Sequence, residues 1–276
     1  MKITHRLASL PVLGALTFLL SVSAIHGQAI DSTGVSPALT ETNRYWLNAK
    51  KEVDRSVLDL IAQHQTELAQ GVRFHKLMHG PRGVKEIALT FDDGPHPAYT
   101  PRILEILREN HINATFFVVG EMASKSPMLV KEEVAEGNSV GNHTYHHVNL
   151  NKVPEEAIAV EIKACGGVLQ AITGKTPHLF RPPGGDYNVK VAEVSEALGY
   201  TMVLWTSDPG DYASPGVTKI EDRLATTIHP GGIILLHDGI EQTIDLLPHL
   251  IKTLKAEGYK FVTIDQMMKD RASAKP

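Results

Sequence analysis

The sequence predicts an α/β fold in which parallel strands alternate with helices and close into a barrel. From Val84 onward, short apolar runs alternate with helical segments, which is the order of successive parallel βα units. About seven such units occupy fewer than about 190 residues, so one closed or nearly closed barrel is favoured over a two-domain enzyme. A third observation agrees with this fold: most polar candidates for chemistry follow the ends of predicted strands.

The predicted strands are short apolar runs bounded by turn residues. They cover residues 87–90, 114–119, 139–142, 178–181, 201–206, 232–237 and 260–264. Thr100-Pro101 and Ser126-Pro127 are start signals for the first two helices, and Gly137 ends the second. The predicted helices cover residues 102–109, 126–137, 154–173, 189–198, 217–228 and 244–256.

Residues 1–29 have the pattern of an export signal. Lys2 and Arg6 precede an apolar run, and small residues follow it at 22–24 and 27–29, as signal-peptidase cleavage requires. An uncleaved anchor is the alternative, because the run is near the lower length limit for a spanning helix. In either case the rest of the chain is expected outside the cytoplasm, in the periplasm or secreted, with no further membrane segment.

Residues 30–80 are predicted to form a helical extension and a linker. Apolar residues of 36–70 recur at spacings of three and four, the pattern of an amphipathic helix. They are Trp46, Ala49, Val53, Val57, Leu60, Ile61 and Leu68. We expect this helix to pack against the main domain, residues 81–270, which a tail of residues 271–276 follows. A coiled-coil dimer is disfavoured, because only about four turns carry the pattern.

Composition narrows the function classes. The net charge of −4 gives no basic excess of the kind that nucleic-acid binding needs. The single cysteine, Cys165, excludes an internal disulfide framework and a cysteine-cluster zinc site. The chain has 14 histidines, and histidine is both the commonest metal ligand and the natural acid–base group at neutral pH.

The candidate residues lie where the carboxyl ends of parallel strands would meet. They are Asp92 and Asp93, His143 and His147, Arg181, Asp208 and Asp211, and His237. Two histidines four residues apart, together with one carboxylate at position 93, suit a catalytic metal site with open positions. Each part alone has a simpler explanation, as turn chemistry or an incidental histidine pair. The same ligands suit non-haem iron, although the surrounding residues favour hydrolysis.

A histidine that ends an apolar strand, as His237 does, is in isolation more often a core residue than a catalyst. Its place among the other strand-end residues favours catalysis. His146 and His229 lack such support and are interpreted as surface or capping residues.

Five short motifs occur in order along residues 86–268. They are Thr90-Phe91-Asp92-Asp93-Gly94-Pro95, His143-Thr-x-x-His147, Arg181-x-Pro183, Asp208-x-x-Asp211 and Leu235-x-His237. This set resembles the motifs of the NodB-like polysaccharide deacetylases, carbohydrate esterase family four, and five ordered motifs are far more specific than one. The resemblance implies a distorted (β/α)7 barrel and metal-dependent removal of acetyl groups from carbohydrates.

The resemblance also implies a role for each matching residue. Asp93, His143 and His147 would hold the metal, which is expected to be zinc, with cobalt, nickel and manganese as alternatives. Asp92 would be the general base that deprotonates the attacking water, and Arg181 would hold its carboxylate.

The acid side is implied in the same way. His237 would be the general acid, with Asp211 orienting it. The backbone N–H in the stretch Pro183-Gly184 would stabilise the oxyanion. The expected pocket residues also include Tyr187, Tyr212 and Leu235.

Two departures from the family pattern bear on substrate fit. Gly184 stands where the third motif commonly has an aromatic residue, and Tyr212 stands where the fourth commonly has Trp. The favoured hypothesis is an N-deacetylase for N-acetylglucosamine units of peptidoglycan or chitin-like oligomers. The alternatives are an acetylxylan O-deacetylase of the same fold and, more remotely, a non-catalytic carbohydrate-binding module. An acetylated polysaccharide or oligosaccharide is the expected partner, and the sequence predicts no oligomeric state.

Overall fold

The structure is a computed structural model and describes residues 53–273. These residues belong to one compact unit. The predicted export signal and the predicted helical segment up to residue 52 lie outside the described residues. Between residues 53 and 273, no helix combines the length and the apolar character needed to cross a bilayer.

Eight parallel strands form the central sheet of the described chain. In chain order they are β1 (Lys76–Leu77), β2 (Glu86–Asp92), β3 (Thr115–Val118), β4 (Ser139–Asn142), β5 (Leu179–Phe180), β6 (Thr201–Val203), β7 (Gly232–His237) and β8 (Lys260–Phe261). Their spatial order is β1-β6-β5-β4-β3-β2-β7, and β8 pairs with the amino end of β2. An additional parallel bridge joins Ser207, which follows β6, to Ile234 of β7. The sheet is therefore curled back towards its own edge, as the predicted distorted barrel requires.

Helices follow most strands and cover the outer face of the sheet, as parallel strand connections require. They are α1 (Val57–Ala69), α2 (Thr100–Glu109), α3 (Gly120–Lys125), α4 (Pro127–Ala135), α5 (Glu155–Thr173), α6 (Val189–Ala197), α7 (Val217–Thr227), α8 (Glu241–Ala256) and α9 (Ile264–Ser273). Local sequence explains several ends. The side chains of Ser56 and Asn188 cap α1 and α6, and Gly174 ends α5 in a left-handed conformation.

Three sequence-based boundaries are wrong. Residues 53–56 are not helical, since α1 begins at Val57, and Val53 is exposed rather than packed on an apolar face. The predicted linker contains β1, which is only two residues long and therefore gives no periodicity to detect. The last boundary falls inside a helix, because α9 continues through residues 271–273, which the sequence assigns to the tail.

The buried central strands β2 and β7 hold the strand-end residues in fixed positions. Every residue of β2 and β7 is buried, as expected for central parallel strands covered on both faces. All six residues of β7 pair with β2, so Asp92 lies in register with His237. On the other side of β2, the ladder continues to β4, where Val118 of β3 pairs with Asn142. The carboxyl ends of these strands therefore meet at one edge.

Candidate active site

The pocket at the carboxyl end of the sheet is built from residues that directly follow neighbouring strands. The backbone N–H of His143 donates to the carbonyl of Val118 at 3.0 Å, and that of Arg181 donates to the carbonyl of Asn142 at 2.9 Å. These bonds extend the strand ladder by one residue and fix where each side chain leaves the sheet. The predicted convergence of strand-end residues is confirmed.

Asp93, His143 and His147 form a cluster of potential metal ligands. One ligand atom from each lies within 4.8 Å of the others, and within residues 53–273 no other group of this kind is found. The Nε2 atoms of His147 and His143 lie 3.0 Å and 3.6 Å from Asp93 Oδ1. One carboxylate and two imidazoles are a donor set that suits a catalytic divalent ion.

The protonation of the cluster fits such an ion. His143 Nδ1 donates to the carbonyl oxygen of Arg181 at 2.8 Å, which leaves Nε2 as the ligand atom and fixes the ring orientation. Burial lowers the pKa of His143, so the imidazole is neutral, as a ligand must be. Burial alone would raise the pKa of Asp93, but the neighbouring His147, with a smaller contribution from His237, reverses this and holds it low. The residues therefore fit a bound metal.

Backbone strain concentrates at this cluster. Asp93 has a φ of 75° and His147 a φ of 56°, and Thr144 between them along the chain has a φ of 65°. Residues with side chains adopt this left-handed region at a cost of about 1–3 kcal/mol, which the surrounding packing must offset. Strained backbone at the two ligand-bearing loops is what a preorganised site would show.

Asp92 is held by a buried arginine. Arg181 Nη1 donates to Asp92 Oδ1 at 2.7 Å and to Thr90 Oγ1 at 2.8 Å. The guanidinium also stacks 4.1 Å from the ring centroid of Phe117. Burial lowers the pKa of Arg181, and the Asp92 charge opposes that shift. The carboxylate of Asp92 is thus fixed, with its other oxygen 3.7 Å from His143 Nε2.

His237 is fixed by a buried aspartate on the opposite side of the pocket. Its Nδ1 donates to Asp211 Oδ1 at 2.8 Å, and its backbone N–H donates to Asp211 Oδ2 at 2.8 Å. Thr243 Oγ1 donates to the same Oδ2 at 2.5 Å. Burial alone would lower the pKa of His237, but the Asp211 carboxylate more than reverses this and raises it well above its ordinary value. The ring is therefore charged at neutral pH, with Nε2 directed away from Asp211.

The structure brings only some of the expected pocket residues to the site. Gly184 and Tyr212 line it, and the Tyr212 ring packs edge-on against His237 with centroids 5.4 Å apart. Leu235 and Pro183 are buried and do not line it. Tyr187 also lies elsewhere, because its hydroxyl accepts a hydrogen bond from Lys76 beneath α1. An aromatic residue in the motif loop faces the core here rather than a sugar.

One lining residue was not expected from the sequence. Asp54, three residues before α1, places Oδ2 3.5 Å from His237 Nε2. Burial chiefly raises its pKa to about 7. The sequence offered no signal for this position, because the helical pattern assigned to residues 36–70 continues through it.

About two thirds of the chain is similar to known deacetylases. The profile of the polysaccharide deacetylase family matches residues 79–203. A peptidoglycan-N-acetylglucosamine deacetylase of Bacillus cereus is 39% identical over 194 residues, which are 68% of this chain and 91% of that protein. A chitooligosaccharide deacetylase of Bradyrhizobium sp. is 34% identical over 200 residues, 67% of this chain and 91% of that one. The chain belongs to the polysaccharide deacetylase family.

Solved structures agree with this assignment. A crystal structure of a peptidoglycan N-acetylglucosamine deacetylase superposes with a TM-score of 0.69 at 33% identity, and the match covers 73% of this chain and 95% of that one. A family-four pseudoenzyme of Bacillus anthracis superposes with a TM-score of 0.68 at 28% identity, over 73% of this chain and 71% of that one. The predicted family and fold are therefore confirmed. Because a pseudoenzyme shares the fold, catalysis must be argued from the site residues.

Proposed function

We propose that the protein is an exported, zinc-dependent N-deacetylase that acts on N-acetylglucosamine units of peptidoglycan or chitin-like oligosaccharides. One observation carries the proposal: a metal-ligand cluster, an arginine-held aspartate and an aspartate-held histidine line the same small pocket. The names of the related deacetylases support the substrate class. Export is supported by the sequence of residues 1–29 alone.

The chain's own residues supply the steps of amide hydrolysis. Asp92 accepts the proton of the attacking water, and Arg181 keeps its carboxylate in place. Bound at Asp93, His143 and His147, zinc would lower the pKa of a water to about 7 and polarise the acetyl carbonyl. The backbone N–H of Gly184 stabilises the oxyanion. His237 donates a proton from Nε2 to the departing amine, held in orientation by Asp211.

Amide cleavage is favoured over ester cleavage by the acid side of the pocket. An amine is a poor leaving group unless it is protonated, whereas an alcohol leaves with less help. The double contact of Asp211 with His237 and the raised pKa of that histidine supply a proton donor at neutral pH. A non-catalytic module would not need this arrangement.

The test is acetate release from an N-acetylglucosamine pentamer by the purified chain, after chelation and again after zinc is restored. We expect zinc-dependent release from the pentamer and much slower release from acetylated xylan. Release from xylan alone would replace the proposal with an O-deacetylase. No release from either substrate, with zinc bound, would contradict a deacetylase function.

A further inference from the structure

The segment that precedes α1 crosses the pocket described above. The backbone N–H of Arg55 donates to the carbonyl of Gly184 at 3.0 Å. The next residue back, Asp54, directs its carboxylate to His237, and only 9% of that side chain is exposed. The backbone of Asp54 also lies against the hydroxyl of Tyr212. Residues 53–55, hereafter the strap, therefore touch two parts of the pocket. One is the loop that carries Gly184 (the oxyanion loop), and the other is the side formed by His237 and Tyr212 (the acid side).

The strap leaves almost no space for a ligand. The remaining cavity among the metal ligands, Gly184, Tyr212 and His237 is about 10 Å³, which is about enough for one water molecule. Pockets that bind small molecules have volumes of about 300–1,000 Å³. An acetylated sugar and the strap therefore cannot occupy the pocket at the same time.

Asp54 occupies the place of the leaving group. His237 Nδ1 is engaged by Asp211, so Nε2 is the atom that must reach the departing amine, and Asp54 Oδ2 lies 3.5 Å from it. Asp54 is not part of the group of potential metal ligands among the described residues, which comprises Asp93, His143 and His147. Its contact is thus with the acid side of the pocket.

The strap is anchored in a way that lets it leave while the fold stays intact. Leu60 of α1 is fully buried, and Gln63 Nε2 donates to the carbonyl of Tyr187 at 3.2 Å, so the helix is fixed to the barrel. Val53, at the other end of the strap, is 76% exposed. Opening the strap breaks the Arg55–Gly184 bond and the Asp54–His237 pair without unpacking the helix.

Gly184 gives the strap its path. A Cβ built on this residue would lie 3.6 Å from the carbonyl oxygen of Val53. Any larger side chain would begin in contact with the strap, and a φ of 62° disfavours one in any case. The strap can therefore pass close to the oxyanion loop because Gly184 has no side chain.

We infer that residues 53–55 form an autoinhibitory strap, in which the carboxylate of Asp54 competes with the acetylated sugar for His237. The inference rests on the proposed function. A competitor that must leave before substrate binds raises the apparent KM by a factor of one plus the closed-to-open ratio and leaves kcat unchanged.

The experiment compares full-length, zinc-loaded variants on the N-acetylglucosamine pentamer. Asp54→Ala removes the carboxylate, and the double variant Asp54→Ala/Arg55→Pro also removes the N–H that Gly184 accepts. Asp222→Ala is the matched control, because it removes an exposed carboxylate on α7, away from the strap in sequence. We expect KM to fall at least about fivefold in the single variant and further in the double variant. The expected kcat stays within about twofold, and Asp222→Ala behaves as the wild type.

Hydrogen exchange gives a readout that does not depend on turnover. The Arg55 amide is expected to exchange slowly in the wild type, faster in Asp54→Ala, and faster in the wild type when the pentamer is added. Slower exchange with the pentamer would overturn the inference, since the strap would then be part of the substrate site.

Kinetics separate the remaining outcomes. An unchanged or higher KM in both strap variants, with the wild type active, overturns the strap alone, and so does a kcat loss at unchanged KM. A tenfold loss of zinc affinity in Asp54→Ala would make Asp54 a metal ligand and also overturn it. The absence of zinc-dependent acetate from every variant overturns the proposed function and the inference together.

Discussion

On one side of the pocket, Asp93, His143 and His147 crowd ligand atoms within 4.8 Å of one another on strained loops, whereas on the other side Asp211 holds His237 with two hydrogen bonds. The acid side is complete within the protein, because its positive ring faces a buried carboxylate. The metal side gathers electron-pair donors whose arrangement suits an ion. The difference implies that removing zinc should silence the first side and leave the second intact.

The largest effect is expected from His143→Ala, which removes one of three ligands. Loss of an outer-shell partner commonly lowers metal affinity 10–100-fold, so loss of a ligand should lower zinc affinity by more than about 100-fold. Acetate release should fall to background. Zinc content after dialysis and acetate release measure the two effects, and full zinc occupancy would contradict the assigned site.

The matched comparison is Asp92→Asn, on a residue beside the ligands but assigned to proton transfer. Zinc should be retained, because the ligand set is unchanged. Turnover should fall roughly 10²–10⁴-fold, the usual contribution of a general base. Loss of zinc by this variant would move Asp92 into the ligand set.

On the acid side, Asp211→Asn should keep zinc but weaken the proton donor. The Asp211 carboxylate raises the pKa of His237 against the effect of burial, so its neutralisation lowers that pKa. His237 must be protonated to act, so the alkaline limb of kcat/KM should move to lower pH, with a loss of about 10–100-fold at neutral pH. A pH profile with an unmoved alkaline limb would exclude His237 as the titrating acid.

The smallest effect is expected where a histidine–aspartate pair lies at the surface. His178 Nε2 and Asp265 Oδ1 are 2.7 Å apart, with 56% and 33% of the side chains exposed. Their hydrogen bond raises the pKa of His178 and lowers that of Asp265. Asp265→Asn should cost less than about 1 kcal/mol of unfolding free energy and leave zinc-dependent turnover unchanged.

The pH dependence of this loss of unfolding free energy serves as the control for Asp265→Asn. The contribution is fully present between the ordinary pKa values of 3.8 for Asp and 6.5 for His. It disappears as the pH falls through the lowered pKa of Asp265 or rises through the raised pKa of His178. Urea unfolding should therefore show a larger difference between variant and wild type at pH 5 than at pH 9, where only the hydrogen bond from Ser139 to Asp265 remains. An equal difference at both values would assign the loss to the Ser139 hydrogen bond or to packing and not to the ion pair.

The metal and acid residues could be predicted from the sequence because the carboxyl ends of parallel strands lie at the same edge of the sheet. Asp92 and His237 are far apart in sequence, yet the β2–β7 register pairs them directly. The same reasoning predicted the order of the later strands along the chain. It missed β1, whose two residues leave no pattern.

Side-chain direction in the loops could not be predicted in this way. Tyr187 follows a motif closely, but it turns beneath α1 to meet Lys76, a contact made by a segment 111 residues away in sequence. Asp54 reached the pocket for a similar reason. Its position depends on where α1 docks, and helical periodicity fixes which face is buried without fixing the path of the preceding residues.

The docking of α1 on the barrel affects the substrate concentration that is needed to displace the strap. With Leu60 buried and Gln63 bonded to the loop at Tyr187, the strap meets His237 as a tethered ligand. Short tethers give effective concentrations on the order of millimolar, and dilution of the protein leaves that value unchanged. A soluble sugar must outcompete a millimolar rival at every encounter, whereas a long polymer carries its own high local density of acetyl groups. A pocket closed by a strap therefore favours polymers with many acetyl groups over small soluble sugars.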